Sequence, residues 1–307
     1  MYKHVSVLLK ESIDSLNIKN DGIYVDCTLG GGGHSSEILK QIPKGHLYCF
    51  DQDDYAIEVA SVKLSKISDN FTIIKSNFAN IKEELEDLGV MKVDGILYDL
   101  GVSSFHFDIP ERGFSYHSDA LLDMRMDQTQ QISALTVINQ YSLNELTTVF
   151  SKYGEITYPK RLAVAVIKAR DEKVINTTQE FVDIILDATP AAVRKKGHPA
   201  KKVFQAIRIA VNDELEVLKK SLESSLSILN QKGRIVIISF HSLEDRIAKR
   251  AFNNAVKVDI PRGLPIKDSD IPREFIKITR KPVTPTDDET TENVRARSAK
   301  MRVIEKL

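Results

Sequence analysis

The sequence Tyr-Val-Asp-Cys-Thr-Leu-Gly-Gly-Gly-Gly-His at residues 24–34 decides the fold. Its apolar start ends in the acid Asp26, and four glycines then lead into a helical pattern. Glycine permits a sharp turn and a close approach of backbone to ligand, and the first amides of the following helix are unpaired. The stretch predicts a strand, a turn and a helix that hold a nucleotide-like ligand, although such turns also occur as plain connectors.

An acid after the second predicted strand supports the ligand site. Residues 46–50 are mostly apolar and are followed by Asp51. This is close to the ~20-residue spacing at which a carboxylate meets the ribose hydroxyls of a ligand on a glycine turn. Further strands are predicted at residues 71–75 and 93–97, alternating with helical stripes. The alternation predicts a doubly wound, mostly parallel α/β sheet with ligands at the carboxyl ends of its strands.

The pattern changes after the fourth strand. Residues 110–202 show only helical patterns and no convincing strand, so we predict an inserted all-helical domain that binds substrate. The α/β domain then has a first part at residues 1–109 and a second part at residues 203–307. Both parts are expected to contribute strands to one sheet.

The second part of the α/β domain begins with apolar residues at steps of three and four over residues 207–229, which predicts one long helix. Residues 234–240 predict a fifth strand, and residues 275–279 and 301–304 predict a closing antiparallel pair. Between these two runs, residues 284–293 are acidic and contain Pro and Thr, so a mobile loop is expected there.

Composition excludes few functions. The chain has 307 residues, 42% of them hydrophobic, and its 43 basic and 43 acidic residues balance. The two cysteines, Cys27 and Cys49, fall in predicted strands, where reduced, packed thiols are expected, and the seven histidines show no metal-ligand spacing. No apolar run approaches the ~18 residues of a membrane span. We expect a cytoplasmic protein without a metal ion.

Several polar or aromatic residues follow predicted strands and are site candidates. Asp99 is the most informative, because a buried acid needs partners: it binds either the amides of its own turn or the amino group of a ligand or substrate, and its position favours the second. Phe78 is either a core aromatic or a surface for adenine. Ser103 fits a helix cap as well as a site, and His241 fits a turn residue as well as a substrate-facing donor.

Two cofactor classes fit a glycine turn followed by an acid: dinucleotides and S-adenosylmethionine. The dinucleotide fingerprint requires a third small residue where this chain has Ser35, which counts mildly against NAD. S-adenosylmethionine needs an acid for its ribose, an apolar face for its adenine and polar groups for its amino acid. Asp51, Phe78 and the loop that begins at Asp99 can supply them.

A basic segment lies at the end of the predicted insertion. Its cations are Arg194, Lys195, Lys196, Lys201 and Lys202, with no acid among them. Charge runs are usually solvated faces, but this one joins the insertion to the core and can hold phosphates beside the site. Nucleic acid is therefore a candidate substrate, and charge does not distinguish RNA from DNA.

Long blocks of the chain resemble one known family. They are Asp-Cys-Thr-Leu-Gly-Gly-Gly-Gly-His at 26–34, Tyr-Asp-Leu-Gly-Val-Ser-Ser at 98–104, Glu-Arg-Gly-Phe-Ser at 111–115, Leu-Asp-Met-Arg-Met-Asp at 122–127, Gly-His-Pro-Ala-Lys-Lys-Val-Phe-Gln-Ala-Ile-Arg-Ile-Ala-Val-Asn-Asp-Glu-Leu at 197–215, Ser-Phe-His-Ser-Leu-Glu-Asp-Arg at 239–246 and Arg-Ala-Arg-Ser-Ala-Lys-Met-Arg at 295–302. Together they resemble the MraW family of bacterial small-subunit ribosomal RNA methyltransferases. The resemblance spans nearly the whole chain.

The resemblance implies a Rossmann-like fold with a helical insertion. It also implies transfer of a methyl group from S-adenosylmethionine to the exocyclic N4 of a cytosine in the decoding region of 16S rRNA. The expected partner is this RNA within the small ribosomal subunit, and naked RNA stays open as the alternative substrate. The family's cofactor contacts correspond to Gly32, Gly33, His34, Asp51, Phe78, Asp99 and His106. At residues 103–106 the chain has Ser-Ser-Phe-His where the family usually has Ser-Ser-Pro-Gln, so His106 keeps this contact with altered geometry or loses it.

The predicted catalytic residues are Asp99, Ser103 and His241, and the predicted RNA contacts are the five cations of the basic segment. Three alternatives remain open at this point: methylation of another nucleic-acid nitrogen, an NAD-dependent oxidoreductase, and an RNA-binding module without catalysis. The oligomeric state is also open, with a homodimer as one alternative.

Overall fold

The chain forms two compact units. A computed structural model describes residues 6–195, 197–258 and 273–307. One unit comprises Met1–Gly101 and Leu215–Leu307, and the other comprises Val102–Glu214. The second unit is helical and is wider at both ends than the predicted insertion, residues 110–202.

The first unit contains a seven-stranded sheet in the order β3-β2-β1-β4-β5-β7-β6. Its strands are β1 Ile23–Asp26, β2 His46–Asp51, β3 Phe71–Lys75, β4 Val93–Asp99, β5 Leu229–Ser239, β6 Phe275–Lys277 and β7 Lys300–Lys306. The first five strands are parallel, while β7 runs antiparallel to both β5 and β6. This order confirms the predicted doubly wound fold and the antiparallel pair. The winding reverses between β1 and β4, where such sheets bind ligands.

Helices flank the sheet and form the second unit. They are α1 Leu9–Leu16, α2 Gly33–Gln41, α3 Asp54–Leu64, α4 Ile81–Asp87, α5 Ser104–Asp108, α6 Ala134–Gln140, α7 Leu143–Lys152, α8 Pro159–Glu172, α9 Thr178–Ala188, α10 Ala191–Arg194, α11 Ala200–Asn212, α12 Glu214–Ile228, α13 Ser242–Ala255 and α14 Asp287–Glu292. Within the described ranges, none of them combines the length and apolar character that a membrane crossing requires.

Buried side chains fix the central strands of the sheet. Val25 of β1 and Ile96 of β4 are almost inaccessible to solvent, as apolar residues of a strand covered on both faces should be. Tyr98 of β4 is also fully buried, and its hydroxyl lies 2.6 Å from the hydroxyls of both Ser221 and Ser225 of α12. These hydrogen bonds satisfy the phenol and hold α12 against β4, which fixes the strand that ends at Asp99.

The helical unit has a core and helix caps of its own. Phe150, Leu162, Phe181 and Phe204 are buried together in one apolar cluster. Ser142 forms a capping box with Glu145 before α7, and Thr177 forms a capping box with Glu180 before α9. Ser or Thr followed three residues later by Glu is the sequence pattern of such a helix start.

The structure corrects two sequence predictions. The predicted long helix is broken at Asp213, which adopts a left-handed conformation with φ 49° and separates α11 from α12. Residues up to Val211 pack into the helical unit, whereas Leu218 and Leu222 pack on the sheet. The predicted mobile loop at residues 284–293 contains α14, whose Glu289 accepts a hydrogen bond of 2.7 Å from the amide of Leu8.

Candidate active site

The glycine turn, residues 30–33, connects β1 to α2. Gly30 and Gly32 have positive φ values of 47° and 65°, which residues with a side chain rarely adopt. A Cβ atom on Gly32 would lie 3.3 Å from the Cβ of Ala60. Both the backbone conformation and the limited space therefore require glycine at position 32, and α2 begins one residue later.

Asp51 holds the glycine turn against the end of β2. Its Oδ2 accepts a hydrogen bond of 2.8 Å from the amide of Gly30, and its Oδ1 accepts from the amides of Gln52 and Asp53 at 2.8 and 2.9 Å. The acid lies beside the turn, where the sequence predicts a ribose contact. The structure gives it a second task, because its carboxylate positions the turn itself.

Asp26 and Thr28 connect the end of β1 to the end of β4. Asp26 is buried and accepts hydrogen bonds from the hydroxyl of Ser35 at 2.6 Å and from the amide of Thr28 at 3.0 Å. Burial raises the pKa of Asp26, and these hydrogen bonds partly oppose the rise. The Thr28 hydroxyl accepts from the amide of Asp99 at 2.7 Å. Ser35, the residue that departs from the dinucleotide fingerprint, therefore has a structural role, because its hydroxyl binds the buried carboxylate of Asp26.

Asp99 has the most unusual environment among these acids. Its Oδ1 atom is buried and has no hydrogen-bond partner among the described residues. Its Oδ2 atom lies 3.5 Å from Nδ1 of His34, and 24% of the side chain is exposed. Burial, and then the nearby carboxylates of Asp26 and Glu244, hold the pKa of Asp99 well above its usual value. A desolvated carboxyl with an unused oxygen at this end of the sheet is suited to bind a ligand group.

His34 constrains the proton on Asp99. Its ring is buried, and Nε2 lies 3.2 Å from the carbonyl oxygen of Val7. A carbonyl only accepts hydrogen bonds, so Nε2 must carry a proton. In the neutral ring, Nδ1 is then an acceptor that faces Oδ2 of Asp99. A favourable contact between these two atoms requires one more proton, carried either by the carboxyl or by the imidazole.

Phe78 lies at the same end of the sheet, in a 3₁₀ turn at Phe78–Asn80 that follows β3. Its ring makes an edge-to-face contact with Tyr98, with ring centroids 5.6 Å apart, yet it is only partly buried. Next to it, the side chain of Asn77 donates a hydrogen bond of 3.0 Å to the side chain of Gln52. Phe78 therefore combines a core contact with an accessible surface at the predicted adenine position.

His241 caps helix α13. Its Nδ1 accepts from the amide of Glu244 at 3.4 Å, and the Glu244 carboxylate accepts from the amide of His241 at 3.2 Å. Nε2 lies 3.1 Å from Oε1 of Glu244, within ion-pair distance but outside hydrogen-bond geometry. His241 therefore has the structural role that the sequence offered as one alternative, because its ring forms a capping box at the start of α13.

Ser103 and His106 belong to the helical unit. Ser103 occupies the cap position of α5, but its hydroxyl makes no capping hydrogen bond and lies 3.4 Å from Nδ1 of His106. The His106 ring is buried against the ring of Phe114, with centroids 4.6 Å apart. The α/β unit thus brings together Gly32, Gly33, His34, Asp51, Phe78 and Asp99, and Ser103 and His106 lie in the helical unit.

The basic segment lies inside the helical unit, not at a connection to the sheet. Arg194 ends α10, and its Nε donates a hydrogen bond of 3.1 Å to the carbonyl oxygen of Thr189. Lys195, Lys201 and Lys202 are exposed, and the described residues place no carboxylate within ion-pair distance of them. Lys196 lies outside the described residues.

The MraW methylase family matches the chain over residues 1–307. The chain belongs to this family. A relative described as ribosomal RNA small subunit methyltransferase H, from Exiguobacterium sibiricum, is 53% identical over 309 residues, which cover 100% of this chain and 99% of the relative. Family membership confirms the resemblance and the predicted enzyme class, a methyltransferase whose cofactor is S-adenosylmethionine.

Solved structures give more distant likenesses. An rRNA methylase from Streptococcus thermophilus has a TM-score of 0.46 and 14% identity, covering 100% of this chain and 99% of that one. TrmN from Thermus thermophilus has a TM-score of 0.43 and 11% identity, covering 98% of this chain and 48% of that one. The fold of this MraW-family chain rests on its own strand order.

The residues of the α/β unit fit the cofactor of an MraW methylase. The glycine turn offers backbone without side chains, and Asp99 offers a buried oxygen that no described residue satisfies. Sequence patterns identified both features. Sequence patterns missed two hydrogen bonds between neighbouring loops, one from Asp99 to Thr28 and one from Asn77 to Gln52. Each bond joins residues that are distant in sequence and belong to no motif.

Proposed function

We propose that this MraW-family chain methylates the exocyclic N4 of a cytosine in the decoding region of 16S rRNA, within the small ribosomal subunit. The observation that carries the proposal is the Asp99 carboxyl, whose Oδ1 is buried without a hydrogen-bond partner among the described residues. The chemistry fits, because 24% of the Asp99 side chain is exposed at this end of the sheet and an exocyclic amine has hydrogens to donate to a carboxyl group. The relative from Exiguobacterium sibiricum is described as a ribosomal RNA methyltransferase, which supports ribosomal RNA as the substrate.

The amine of cytosine is a weak nucleophile because its lone pair is delocalised into the ring. S-adenosylmethionine supplies an activated methyl group when it is bound. The chain must therefore orient the amine and hold its hydrogens, which we assign to Asp99. Gly32 and Gly33 give the cofactor close access to the backbone, while Asp51 fixes the turn and binds ribose, and Phe78 faces adenine.

The protonation state of Asp99 determines whether its carboxyl group can accept a proton. A carboxyl whose pKa is raised is a better base once it has lost its proton, and His34 lies close enough to receive or return that proton. Asp99 therefore orients the amine and offers an acceptor for the proton that leaves the methylated nitrogen. Water can also take this proton, so a dedicated base is not required. Ser103 and His241 complete the proposed catalytic set, and His106 completes the proposed cofactor contacts.

The proposed substrate is tested by direct modification analysis. Purified enzyme and S-adenosylmethionine are incubated with small subunits, or with naked 16S rRNA, from cells that lack the gene. We expect N4-methylcytosine at one decoding-region position and more product with the subunits. A methyl group on another base, another nitrogen or another RNA would contradict the proposal.

Two substitutions distinguish the helix-capping role of His241 from its proposed catalytic role. Asparagine is a good N-cap residue, so His241→Asn should keep the stability of α13, whereas His241→Ala should lower the free energy of unfolding by about 1 kcal/mol. Chemical denaturation measures both values. If His241→Asn also methylates RNA at the normal rate, the imidazole does not take part in the reaction.

The basic segment is proposed to bind RNA phosphates. Lys201 and Lys202 occupy the first turn of α11, where the helix dipole disfavours cations, and a bound phosphate would relieve this local repulsion. Changing both to alanine should weaken RNA binding and reduce the slope of log affinity against log salt by ~1.4, at ~0.7 for each contact with a single strand. Affinity for S-adenosylmethionine should remain unchanged.

The matched control for these lysines is Lys160, an exposed lysine in the first turn of α8 in the same unit. Lys160→Ala removes one charge from an equivalent helical position outside the basic segment, and its salt slope should stay close to that of the unmodified protein. An equal change in salt slope per removed charge in both variants would mean that overall charge, and not the basic segment, attracts RNA.

A further inference from the structure

Four aromatic rings meet in the helical unit, at a place that no proposed catalytic or cofactor residue occupies. Tyr116 stacks on His198 with ring centroids 4.9 Å apart and an interplanar angle of 19°. His117 lies against the other two rings, 4.2 Å from Tyr116 and 6.4 Å from His198. Phe204 meets Tyr116 edge to face at 5.7 Å. We call Tyr116, His117 and His198 the ring platform.

The ring platform packs on the core of the helical unit and remains partly exposed to solvent. Phe204 is buried in the core of the helical unit and packs against Phe181 at 5.7 Å, so Tyr116 rests on a fixed ring. His198 is fixed as well, because its Nδ1 accepts a hydrogen bond of 3.3 Å from the amide of Ala200 at the start of α11. His117 and His198 are nevertheless exposed, and Tyr116 is half-buried. Tyr116 thus packs on the core, whereas the two histidine rings are open to solvent.

The charges around the ring platform indicate its partner. His198 is flanked in the chain by exposed Lys195 on one side and by Lys201 and Lys202 on the other, without carboxylates within ion-pair distance in the described part of the chain. Lysines alone would suit any anionic surface. Stacked rings beside lysines suit an unpaired nucleic acid, because the flat faces of tyrosine and histidine stack on bases while the cations bind phosphates.

We propose that Tyr116, His117 and His198 form a base-stacking platform for unpaired nucleotides of the RNA substrate. This inference rests on the proposed function for the identity of the RNA, and it adds an RNA-binding surface to it. The platform would hold an unpaired base against its rings, while Lys201 and Lys202 hold the adjoining phosphates. Unpaired RNA is cheaper to unstack than a duplex, which suits a single-stranded target.

Binding of a short, unstructured pyrimidine oligoribonucleotide tests the platform without cofactor and without methylation. We expect Tyr116→Leu to weaken binding between ~5-fold and ~100-fold, the range for loss of one stacked base. Tyr116→Phe keeps the ring and should bind normally. His198→Asn keeps an acceptor for the amide of Ala200 but removes the second ring, so it should weaken binding while the free energy of unfolding is preserved.

A second probe separates stacking from phosphate binding. An oligomer of the same length with abasic sugars keeps its phosphates but has no bases, so Tyr116→Leu and His198→Asn should bind it as the unmodified protein does. Their salt slopes on the normal oligomer should also be unchanged, unlike those of the lysine variants. Normal binding of the pyrimidine oligomer by both ring variants, or an equal loss on the abasic oligomer, would overturn the proposal. Methylation at another nucleotide would refute only the proposed function.

Discussion

Replacing Asp99 with asparagine is expected to reduce the rate of methyl transfer by about 10²-fold, the lower end of the range for a positioned acid–base group, because water can still take the proton. Asparagine keeps the size of the side chain and its hydrogen-bonding plane. It cannot take a proton, and its neutral amide holds the amine hydrogens of the substrate more weakly than a carboxylate does. Single-turnover methylation of small subunits at saturating cofactor measures the rate of this step.

The same substitution should stabilise the fold, because the native carboxyl is desolvated. The pKa of Asp99 is raised in the folded protein, so the unfolded chain loses this proton at a lower pH than the folded chain. Stability contributed by this group therefore falls as pH rises from the unfolded pKa through the folded one. Asp99→Asn removes this dependence, and its melting temperature should exceed that of the unmodified protein more at pH 8 than at pH 4.

Activity and stability together make the test of Asp99 decisive. Slow transfer combined with higher stability would assign the carboxyl to function and not to folding. A variant that methylates at the normal rate would remove Asp99 from the catalytic set. Slow transfer combined with lower stability at every pH would instead show that the carboxyl holds the site together, for instance through the contact between His34 and Asp99.

The sequence predicted the α/β sheet well because local patterns determine it. Strands β1, β2 and β4 are largely buried, β3 is a partly buried edge strand, and each of the four begins and ends close to the predicted residues. The glycine turn and Asp51 were predicted for the same reason, since their spacing follows from the length of one strand-helix-strand unit. Such features depend on neighbours within about thirty residues in the chain.

Predictions failed where distant partners decide the conformation. Apolar residues continue at helical spacing across Asp213, so the pattern contains no sign of the break. The break exists because the residues before it pack in one unit and those after it pack in the other. The acidic residues around Glu289 were predicted to form a loop because they show no apolar periodicity. The Glu289 carboxylate binds the amide of Leu8, which is 281 positions away in sequence, and no local pattern predicts such a contact.

The environment of the site was also only partly predictable. Asp99 was identified from its place at the end of a strand, but its contact with His34 joins β4 to the start of α2, two segments far apart in sequence. His241 was identified in the same way, and the structure shows that its ring caps a helix. Position after a strand therefore selects candidates, and only the contacts of each side chain distinguish a structural task from a chemical one.

Replacing Gly32 with alanine should disrupt cofactor binding while the sheet remains folded. The left-handed conformation, with φ 65°, disfavours any residue with a Cβ by about 1–2 kcal/mol, and the added atom would press on Ala60 at 3.3 Å. The turn must shift, and with it the amide of Gly30 that Asp51 binds. We expect the dissociation constant of S-adenosylmethionine to rise about tenfold or more, equivalent to at least about 1.4 kcal/mol.

Gly89 provides the matched control for Gly32. It also has a positive φ, 77°, but it is exposed after α4, and a Cβ atom there would meet nothing within 4 Å. Gly89→Ala therefore introduces the same backbone strain without crowding, and it should lower the free energy of unfolding by about 1–2 kcal/mol while leaving cofactor affinity unchanged. Calorimetry and chemical denaturation of both variants separate the two effects. If Gly32→Ala binds S-adenosylmethionine normally, the turn tolerates a side chain and the cofactor does not approach the backbone at this glycine.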